Sequence, residues 1–326
     1  MQSLHHRLCT VLVATSLAAA STTLSAQGLV VTQKHTFNIA KIGGGDMTQT
    51  LMIQGADRQK SVTEGRAKFL VFNRDVSGTE IIRLDQGKIY TSEGKKAQYK
   101  TRSIAEMRTE MEKAQKDAEK AAADGRQQNE DVRLYVVNEG VEKTGQTRTI
   151  NGFNTQHQVL KMTVMAEDTR TKEKHPMFYL TADMWVDPGQ KQAARTSAAF
   201  SNAYIAQLGL DPRTATNPYG KWIKDMYKEM AGIDGYPILT NMAMEAAGEA
   251  QGGTGAQGEQ TASSNPADAV GAAMGALLKR ATKPKQETAA NPAVTAGRTL
   301  LFSATTEVQS ISTSAPAASE FEVTGG

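Results

Sequence analysis

The chain has 326 residues, with 37 basic and 34 acidic side chains that give a formal net charge of +3. A chain of this length can bury about three quarters of its unfolded surface, so it needs no disulfide bonds for stability. Because charges of both signs are interspersed along the sequence, a nucleic acid is not the expected partner.

Residues 1–26 have the pattern of a secretory signal peptide. A basic start at 5–7 precedes an apolar stretch, 8–20, that is too short to span a bilayer, and small residues lead to a cleavage site near Ala26. An N-terminal core helix is the alternative, but the stretch has no amphipathic stripe. We therefore expect a mature chain that is periplasmic or secreted.

Cleavage near Ala26 would leave the mature chain without a cysteine, because Cys9 is the only one. The residues before Cys9 are not the small residues of a lipoprotein signal, and no later apolar run reaches eighteen residues. We expect no disulfide, no lipid anchor and no transmembrane segment in the mature chain.

Turn residues recur about every ten positions between 43 and 94 and separate stretches rich in β-branched and aromatic side chains. This spacing predicts a meander of antiparallel strands. A strand over 29–40 has His35 and Phe37 on one side, and a strand over 67–73 has apolar side chains on both sides. The predicted turns are Gly43–Gly45, Gly55–Asp57, Glu64–Gly65, Ser77–Gly78, Gln86–Gly87 and Glu93–Gly94.

A helix is predicted near 103–124. Ser103 suits the N-cap, and Glu106 has the capping-box spacing. Such a helix can lie across a sheet with its charged side in water, and a coiled-coil partner is the alternative. Its narrow apolar stripe consists of Ile104, Met107, Met111, Ala114, Ala118 and Ala121.

The second half of the chain resumes with strands. Two strands, 132–137 and 146–150, are predicted around a turn at Glu139–Gly140. A further strand, 177–186, alternates apolar with mixed side chains. Two helices near 190–208 and 218–231 follow and would cap the sheet.

Residues 247–296 differ from the rest because small and polar residues dominate and aromatic residues are absent. Within them, 266–280 has apolar residues at helical spacing, which fits either a membrane-touching helix or a short helix in a linker. Strands at 237–245 and 300–308 flank this tract, so we expect the chain to return to the same sheet.

These elements predict an α+β fold, mostly antiparallel β, with a curved meander sheet or incomplete barrel, a central helix and two capping helices. The predicted organisation is a signal peptide at 1–26, a β-rich domain at 27–246, a flexible insertion at 247–296 and a C-terminal strand segment at 297–326. One domain with a long insertion fits this pattern better than two domains.

The motifs of common catalytic classes are absent from the sequence, including a Gly-x-Ser-x-Gly elbow, a His-Glu-x-x-His pair and a phosphate-binding glycine loop. Asp183 and Asp187 lie four apart on a strand end, which does not favour a glycosidase pair. His35, His157 and His175 fall on separate elements, so a metal site is not expected. We expect a protein that is not an enzyme and has no cofactor.

Copper(I) binding by methionine side chains is a more specific alternative. Met242 and Met244 share a predicted strand face, and Met226 and Met230 share a predicted helix face, where thioethers could bind copper(I) in an exported compartment. The chain has 14 methionines but no cluster of Met-x-Met repeats, and methionine also fills irregular apolar interiors. Core packing is the favoured interpretation.

Four stretches stand out as local motifs: Ile81–Tyr90, Tyr99 with the helix start Ser103–Met107, Lys143–Thr147 leading to Ile150–Phe153, and Ala182–Val186. Together they resemble an uncharacterised family of secreted bacterial β-rich proteins. The family often has a cysteine after its glycine-aromatic pair, whereas Asn154 and Thr155 occupy these positions here. The resemblance covers roughly 29–190 and 297–323.

That family is similar in organisation to the periplasmic lipoprotein carriers of the LolA/LolB type. In those carriers a curved antiparallel sheet closes around a helix and leaves an apolar cavity for acyl chains. The resemblance implies an incomplete barrel, an apolar concave face and binding without chemistry.

The leading hypothesis is an exported, non-catalytic protein that binds a lipid or other apolar ligand, as a carrier or chaperone. The alternative is a structural or protein-interaction component of the envelope that meets a partner through the helix after Ser103 or the 247–296 tract. The candidate ligand-wall residues, which also suit an ordinary core, are Phe37, Phe69, Met162, Met184, Trp185 and Trp222.

Overall fold

The computed structural model describes residues 28–40, 42–69, 72–94, 98–126, 132–168, 170–209, 233–247 and 298–323. Its main feature is one open antiparallel sheet, so the prediction of a mostly antiparallel β fold is confirmed. The predictions for the signal peptide and for the helices near 218–231 and 266–280 concern residues outside these ranges.

Strands dominate the described residues, and two long helices interrupt them. In chain order the elements are β1 (Gly28–Ile39), β2 (Gly43–Gln54), β3 (Arg58–Phe69), β4 (Phe72–Asp75), β5 (Gly78–Arg83), β6 (Lys88–Glu93), β7 (Lys100–Ser103), α1 (Ile104–Arg126), β8 (Val132–Ile150), β9 (Phe153–Asp168), β10 (Lys174–Asp187), α2 (Lys191–Gln207), β11 (Tyr236–Ala247) and β12 (Arg298–Ser312).

The sheet consists of two meanders that meet at its centre. Its strand order is β7-β6-β5-β3-β2-β1-β12-β11-β10-β9-β8, and β4 pairs with β3 outside this path. The first strand therefore pairs with the last, with Phe37 opposite Ala304 and Lys34 opposite Glu307. The edges are β7 and β8, which are consecutive in the chain and joined through α1.

Alternation along each strand gives the sheet two distinct faces. We call the face on which the helices pack the inner face and the opposite one the outer face. On β1, Leu29 and Val31 point to the inner face and are fully buried, and the inner-face residues Ile53 and Leu51 lie opposite them on β2. Lys34 and Asn38 point outward and are exposed.

The helices cover one end of the inner face. Phe200 and Leu208, from α2 and its C-terminal cap, pack with Leu29 and Val31 of β1 in a buried cluster that also includes Ile104 at the start of α1. Burying an apolar side chain of this size is favourable by about 1.5–3 kcal/mol relative to leaving it exposed. This cluster fixes the helices against the central strands.

A second buried cluster lies on the inner face of β9 and β10. Its members are Leu160, Met162, Ala182, Met184, Val186 and Ile233. Five of them come from alternate positions of β9 and β10, with Ala182 opposite Leu160, and Ile233 precedes β11. The alternation that the sequence predicts for 177–186 is therefore present in β10.

The C-terminal residues are held against the sheet by ionic and hydrogen-bond contacts of Arg83, which we call the Arg83 clamp. The Arg83 guanidinium donates bidentate hydrogen bonds of 2.8 and 2.7 Å to Asp85, and its Nη1 donates to the Phe321 carbonyl at 3.3 Å and to Glu322 at 3.1 Å. The Phe321 side chain is 0% exposed. Because Lys60, an outer-face residue of β3, also pairs with Glu320, this segment covers the outer face.

Two predicted turns lie within strands instead. Gly43–Gly45 forms the start of β2, and Glu64–Gly65 lies inside β3. A Cβ at Gly45 would lie 2.6 Å from the backbone oxygen of Arg66 on β3 and 3.0 Å from the Cε1 atom of Phe37, which is opposite on β1. The glycine thus permits close approach of the β3 backbone and of an aromatic ring, and the sequence pattern alone does not distinguish this requirement from a turn.

Two other strand predictions also differ from the structure. The predicted strand over 67–73 is divided, because β3 ends at Phe69 and β4 begins at Phe72. The predicted turn at Glu139–Gly140 is absent, since β8 runs continuously with register shifts between Asn138 and Val141 and between Lys143 and Thr147. Irregularities of this kind absorb extra residues without ending a strand.

The capping box at the start of α1 is present as the sequence predicts. The Glu106 backbone N–H donates to Ser103 Oγ at 3.0 Å, and the Ser103 N–H donates to Glu106 Oε2 at 3.0 Å. The backbone hydrogen bond from Ser103 holds the pKa of Glu106 below its ordinary value. The helix therefore begins where the chain leaves edge strand β7.

Candidate ligand-binding site

The end of the inner face away from the helical cluster carries an apolar patch. We use this name for Ile39, Leu180, Met242, Met244, Phe302 and Ala304. Cross-strand register makes them neighbours, since Phe302 lies opposite both Ile39 and Met244, and Met244 lies opposite Leu180. The patch therefore spans four adjacent strands, from β1 through β12 and β11 to β10.

The side chains of the apolar patch are half-buried, unlike those of the two core clusters. Leu180 packs against the edge of the second cluster, and the other five belong to neither cluster. Phe37, only 9% exposed, lies between the patch and the helix-covered end. The inner face is therefore fully buried where the helices pack on it and partly accessible to solvent at the apolar patch.

A ladder of polar side chains crosses the inner face between these two regions. Gln33 Nε2 donates to Gln49 Oε1 at 2.8 Å, and Gln49 Nε2 donates to Ser61 Oγ at 2.6 Å. All three residues are buried. Their mutual hydrogen bonds satisfy polar groups that would otherwise be costly to bury.

His35 lies beside this ladder on β1 and is 8% exposed. Its Nδ1 is 3.1 Å from Thr306 Oγ1 on β12, whereas within the described part of the chain its buried Nε2 has no partner in hydrogen-bonding geometry. Burial lowers the pKa of His35 below its ordinary value, and the neighbouring Gln49 side chain offsets part of this effect. The imidazole is therefore neutral at physiological pH.

Three of the six candidate wall residues share the inner face. Phe37 borders the apolar patch, while Met162 and Met184 are 2% and 3% exposed within the second core cluster. The side chain of Phe69 and the whole of Trp222 lie outside the described residues. The apolar patch itself includes no residue of the predicted set.

Trp185 points to the outer face, so it does not share a wall with Phe37. Its ring stacks on His157, directly opposite on β9, with ring centroids 4.6 Å apart, and the Arg148 guanidinium lies 3.9 Å from the Trp185 ring centroid. His157 Nε2 is 2.9 Å from Asp183 Oδ2, and its Nδ1 is 3.0 Å from Thr144 Oγ1.

His157 and Asp183 are therefore in contact in the structure. In the sequence analysis, His157 is considered only as a possible metal ligand and Asp183 only as a possible catalytic carboxylate. Strand alternation places Asp183 and Trp185 on one face of β10, but their pairing with His157 depends on the β9–β10 register, which no local pattern fixes. Both ring nitrogens of His157 have partners, which leaves this cluster as an outer-face interaction among side chains.

Metal-site geometry was not found among the described residues, in which no three His, Cys, Asp or Glu side chains converge. For the copper(I) alternative, Met242 and Met244 do share the inner face of β11. The residues directly opposite them are Ala182 and Leu180 on β10 and Ala304 and Phe302 on β12, none of which is a soft metal ligand. Met226 and Met230 lie outside the described residues.

An open cleft of about 600 Å³ lies where β2, β3 and β4 meet. It is lined by charged, polar and small residues, among them Asp46, Arg66, Lys68 and Arg74. Its lining does not include the apolar patch. Among the helices that the structure describes, none is both long enough and apolar enough to cross a membrane.

Comparisons with known proteins give no assignment. No family model matches the chain, and neither a curated protein nor a solved structure is significantly similar to it. The function must therefore be argued from the sheet and its side chains.

Proposed function

We propose that this is an exported, non-catalytic protein that binds a lipid or another apolar ligand on its inner face and carries it. The observation that supports the proposal is the apolar patch, whose half-buried side chains adjoin two sealed core clusters on the same sheet face. Contiguous accessible apolar surface of this kind marks binding sites in soluble proteins.

The composition of the apolar patch suits an adaptable ligand wall. Met242 and Met244 have flexible, polarizable side chains that can follow ligands of different shape, and Phe302 adds a large apolar surface between them and Ile39. A sheet that curves around α1 would bring these residues to its concave side, as in the periplasmic lipoprotein carriers, to which the uncharacterised family that the sequence resembles is similar in organisation.

The path of the chain supports such an arrangement. The helix α1 starts from edge strand β7, and the chain next enters the sheet at the opposite edge, β8. A helix of 23 residues is about 34 Å long, which is long enough to span a large part of the sheet. In the proposed carrier this helix borders the ligand space, and the signal peptide at 1–26 directs export.

A charged side chain in the patch should weaken binding of an apolar probe. We expect the uncharged fluorophore N-phenyl-1-naphthylamine to bind the purified protein with enhanced emission, and Met244→Glu to reduce its affinity at least tenfold, because a carboxylate raises the cost of placing apolar groups beside it. Fluorescence titration measures both affinities.

The matched control for this titration is Ala243→Glu, which places the same charge on the outer face of the same strand. It should leave probe affinity unchanged. Equal loss in both variants, or no binding by the wild type, would contradict the proposal. Recovery of a stoichiometric protein partner by a protein that binds no probe would support the envelope-interaction alternative.

A further inference from the structure

The central part of the inner face carries no charged side chain among the described residues. None of the strands β1–β3 and β9–β12 has an Asp, Glu, Lys or Arg on this face in its central stretch. This holds over 29–39, 45–53, 59–67, 156–164, 178–186, 238–244 and 302–308.

The charged residues with inner-face register lie farther out in the sheet. Glu80 on β5 is opposite Ser61 and three strands from β1, and Lys143 is opposite Gln158 on edge strand β8. Among the described inner-face residues of these central stretches, His35 is the one titratable side chain. Burying an unpaired charge costs several kcal/mol, so this face disfavours a ligand whose charged group must lie against it.

His35 offers a hydrogen bond at the border of the apolar patch. Along β1 it lies between Val31, in the helical cluster, and Phe37, next to the patch. Its buried Nε2 has no partner in hydrogen-bonding geometry among the described residues, although the Gln49 side chain lies close to the imidazole, while Nδ1 is occupied by Thr306. When the Thr306 hydroxyl donates to Nδ1, Nε2 carries the proton and can donate to a ligand oxygen.

We infer that the inner face takes an amphiphile with an uncharged oxygen-bearing head, such as a monoacylglycerol, whose chain lies on the apolar patch and whose head hydrogen-bonds to His35 Nε2. This inference rests on the proposed function and adds the class of ligand. The buried Gln33–Gln49–Ser61 ladder makes the surroundings of the head polar without adding charge. The absence of a countercharge disfavours an ionised head, and the hydrogen bond from Nε2 contributes to binding of the uncharged one.

Competition between two ligands with the same acyl chain tests the inference. In displacement of N-phenyl-1-naphthylamine at pH 8, 1-monooleoylglycerol should bind at least tenfold more tightly than oleate, which is ionised. His35→Leu should weaken monooleoylglycerol about tenfold, or about 1.4 kcal/mol, and leave the affinities of the fluorophore and oleate unchanged. Asn38→Ala, an exposed outer-face change on the same strand, is the control and should behave as the wild type.

The outcomes separate this inference from the proposed function. If the fluorophore does not bind, the proposed function fails. If it binds but oleate equals monooleoylglycerol, or if His35→Leu leaves their ratio unchanged, the inference alone is overturned, and Nε2 has a purely structural role.

A second measurement covers the case in which His35→Leu does not fold. Monooleoylglycerol should shift the Nε2 resonance of His35 in the ¹⁵N spectrum of the wild type, with His35→Gln used to assign the signal. An unshifted resonance at saturating ligand would also overturn the inference.

Discussion

His35 occupies an exceptional position among the side chains of the inner face, because it is titratable and buried amid uncharged residues. Its neighbours across the sheet are Met47 on β2 and Thr306 on β12, and burial lowers its pKa. Protonation of His35 should therefore affect the free energy of unfolding.

The buried imidazole should make stability depend on pH. Well above pH 6.5, the ordinary pKa of histidine, the side chain is neutral in both the folded and the unfolded chain. As the pH falls below that value, the unfolded chain takes up a proton that the folded chain resists, so the free energy of unfolding decreases until the lowered pKa is reached. The decrease has an upper limit of about 1.4 kcal/mol per pH unit.

Urea denaturation at pH 7.5 and 5.5 measures this effect. We expect the wild type to lose more stability between these values than His35→Gln, which cannot titrate. His175→Gln is the matched control, since that side chain is 67% exposed, and it should retain the wild-type difference. A His35→Gln protein with the full wild-type loss would show that other groups cause it.

The position of a single residue can be predicted from the sequence when it depends only on neighbouring residues of the same strand or helix. Alternation alone placed His35 and Phe37 on one face of β1, and the spacing of Ser103 and Glu106 indicated the capping box. The contact of Trp185 with His157 depends on the register of two strands, which the sequence of neither strand determines. The apolar patch cannot be predicted for the same reason, because its residues come from four strands that become neighbours only in the folded sheet.

At the scale of helices and strands, the accuracy of the predicted bounds depends on what ends each element. The structure has α1 and α2 close to the ranges expected from capping residues and apolar spacing. The β8 strand was not foreseen as one strand, because Gly140 has a positive φ of 80° and reads locally as a turn. In the sheet the neighbouring strand β9 continues through this irregularity and keeps the two halves of β8 aligned.

The C-terminal 3₁₀ turn, Ala318–Phe321, is an element whose removal should destabilise the fold. Phe321→Ala should lower the free energy of unfolding by about 3–5 kcal/mol, because a large buried side chain would leave a cavity beside the Arg83 clamp. Urea denaturation at neutral pH gives the value. Ser319→Ala, at an exposed position of the same turn, should change it little, and equal effects would contradict this explanation.

At the scale of the whole molecule, the order of strands predicts which parts of the sheet open first. Central strands β1 and β12 are hydrogen-bonded on both sides, whereas β7 is a four-residue edge strand bonded to β6 alone in the described sheet. Hydrogen exchange followed by mass spectrometry should therefore show the slowest amides in β1 and β12 and fast exchange in β7. Exchange in β7 as slow as in β12 would contradict this order.

The pairing of β1 with β12 also determines when the sheet can be completed. Strand β1 remains without its central neighbour β12 until residues 298–312 are available, because the two meanders of the described sheet join only there. Contacts between such distant segments slow folding. For a chain that is exported as we propose, the central β1–β12 pair can form only after both of these strands have crossed the membrane.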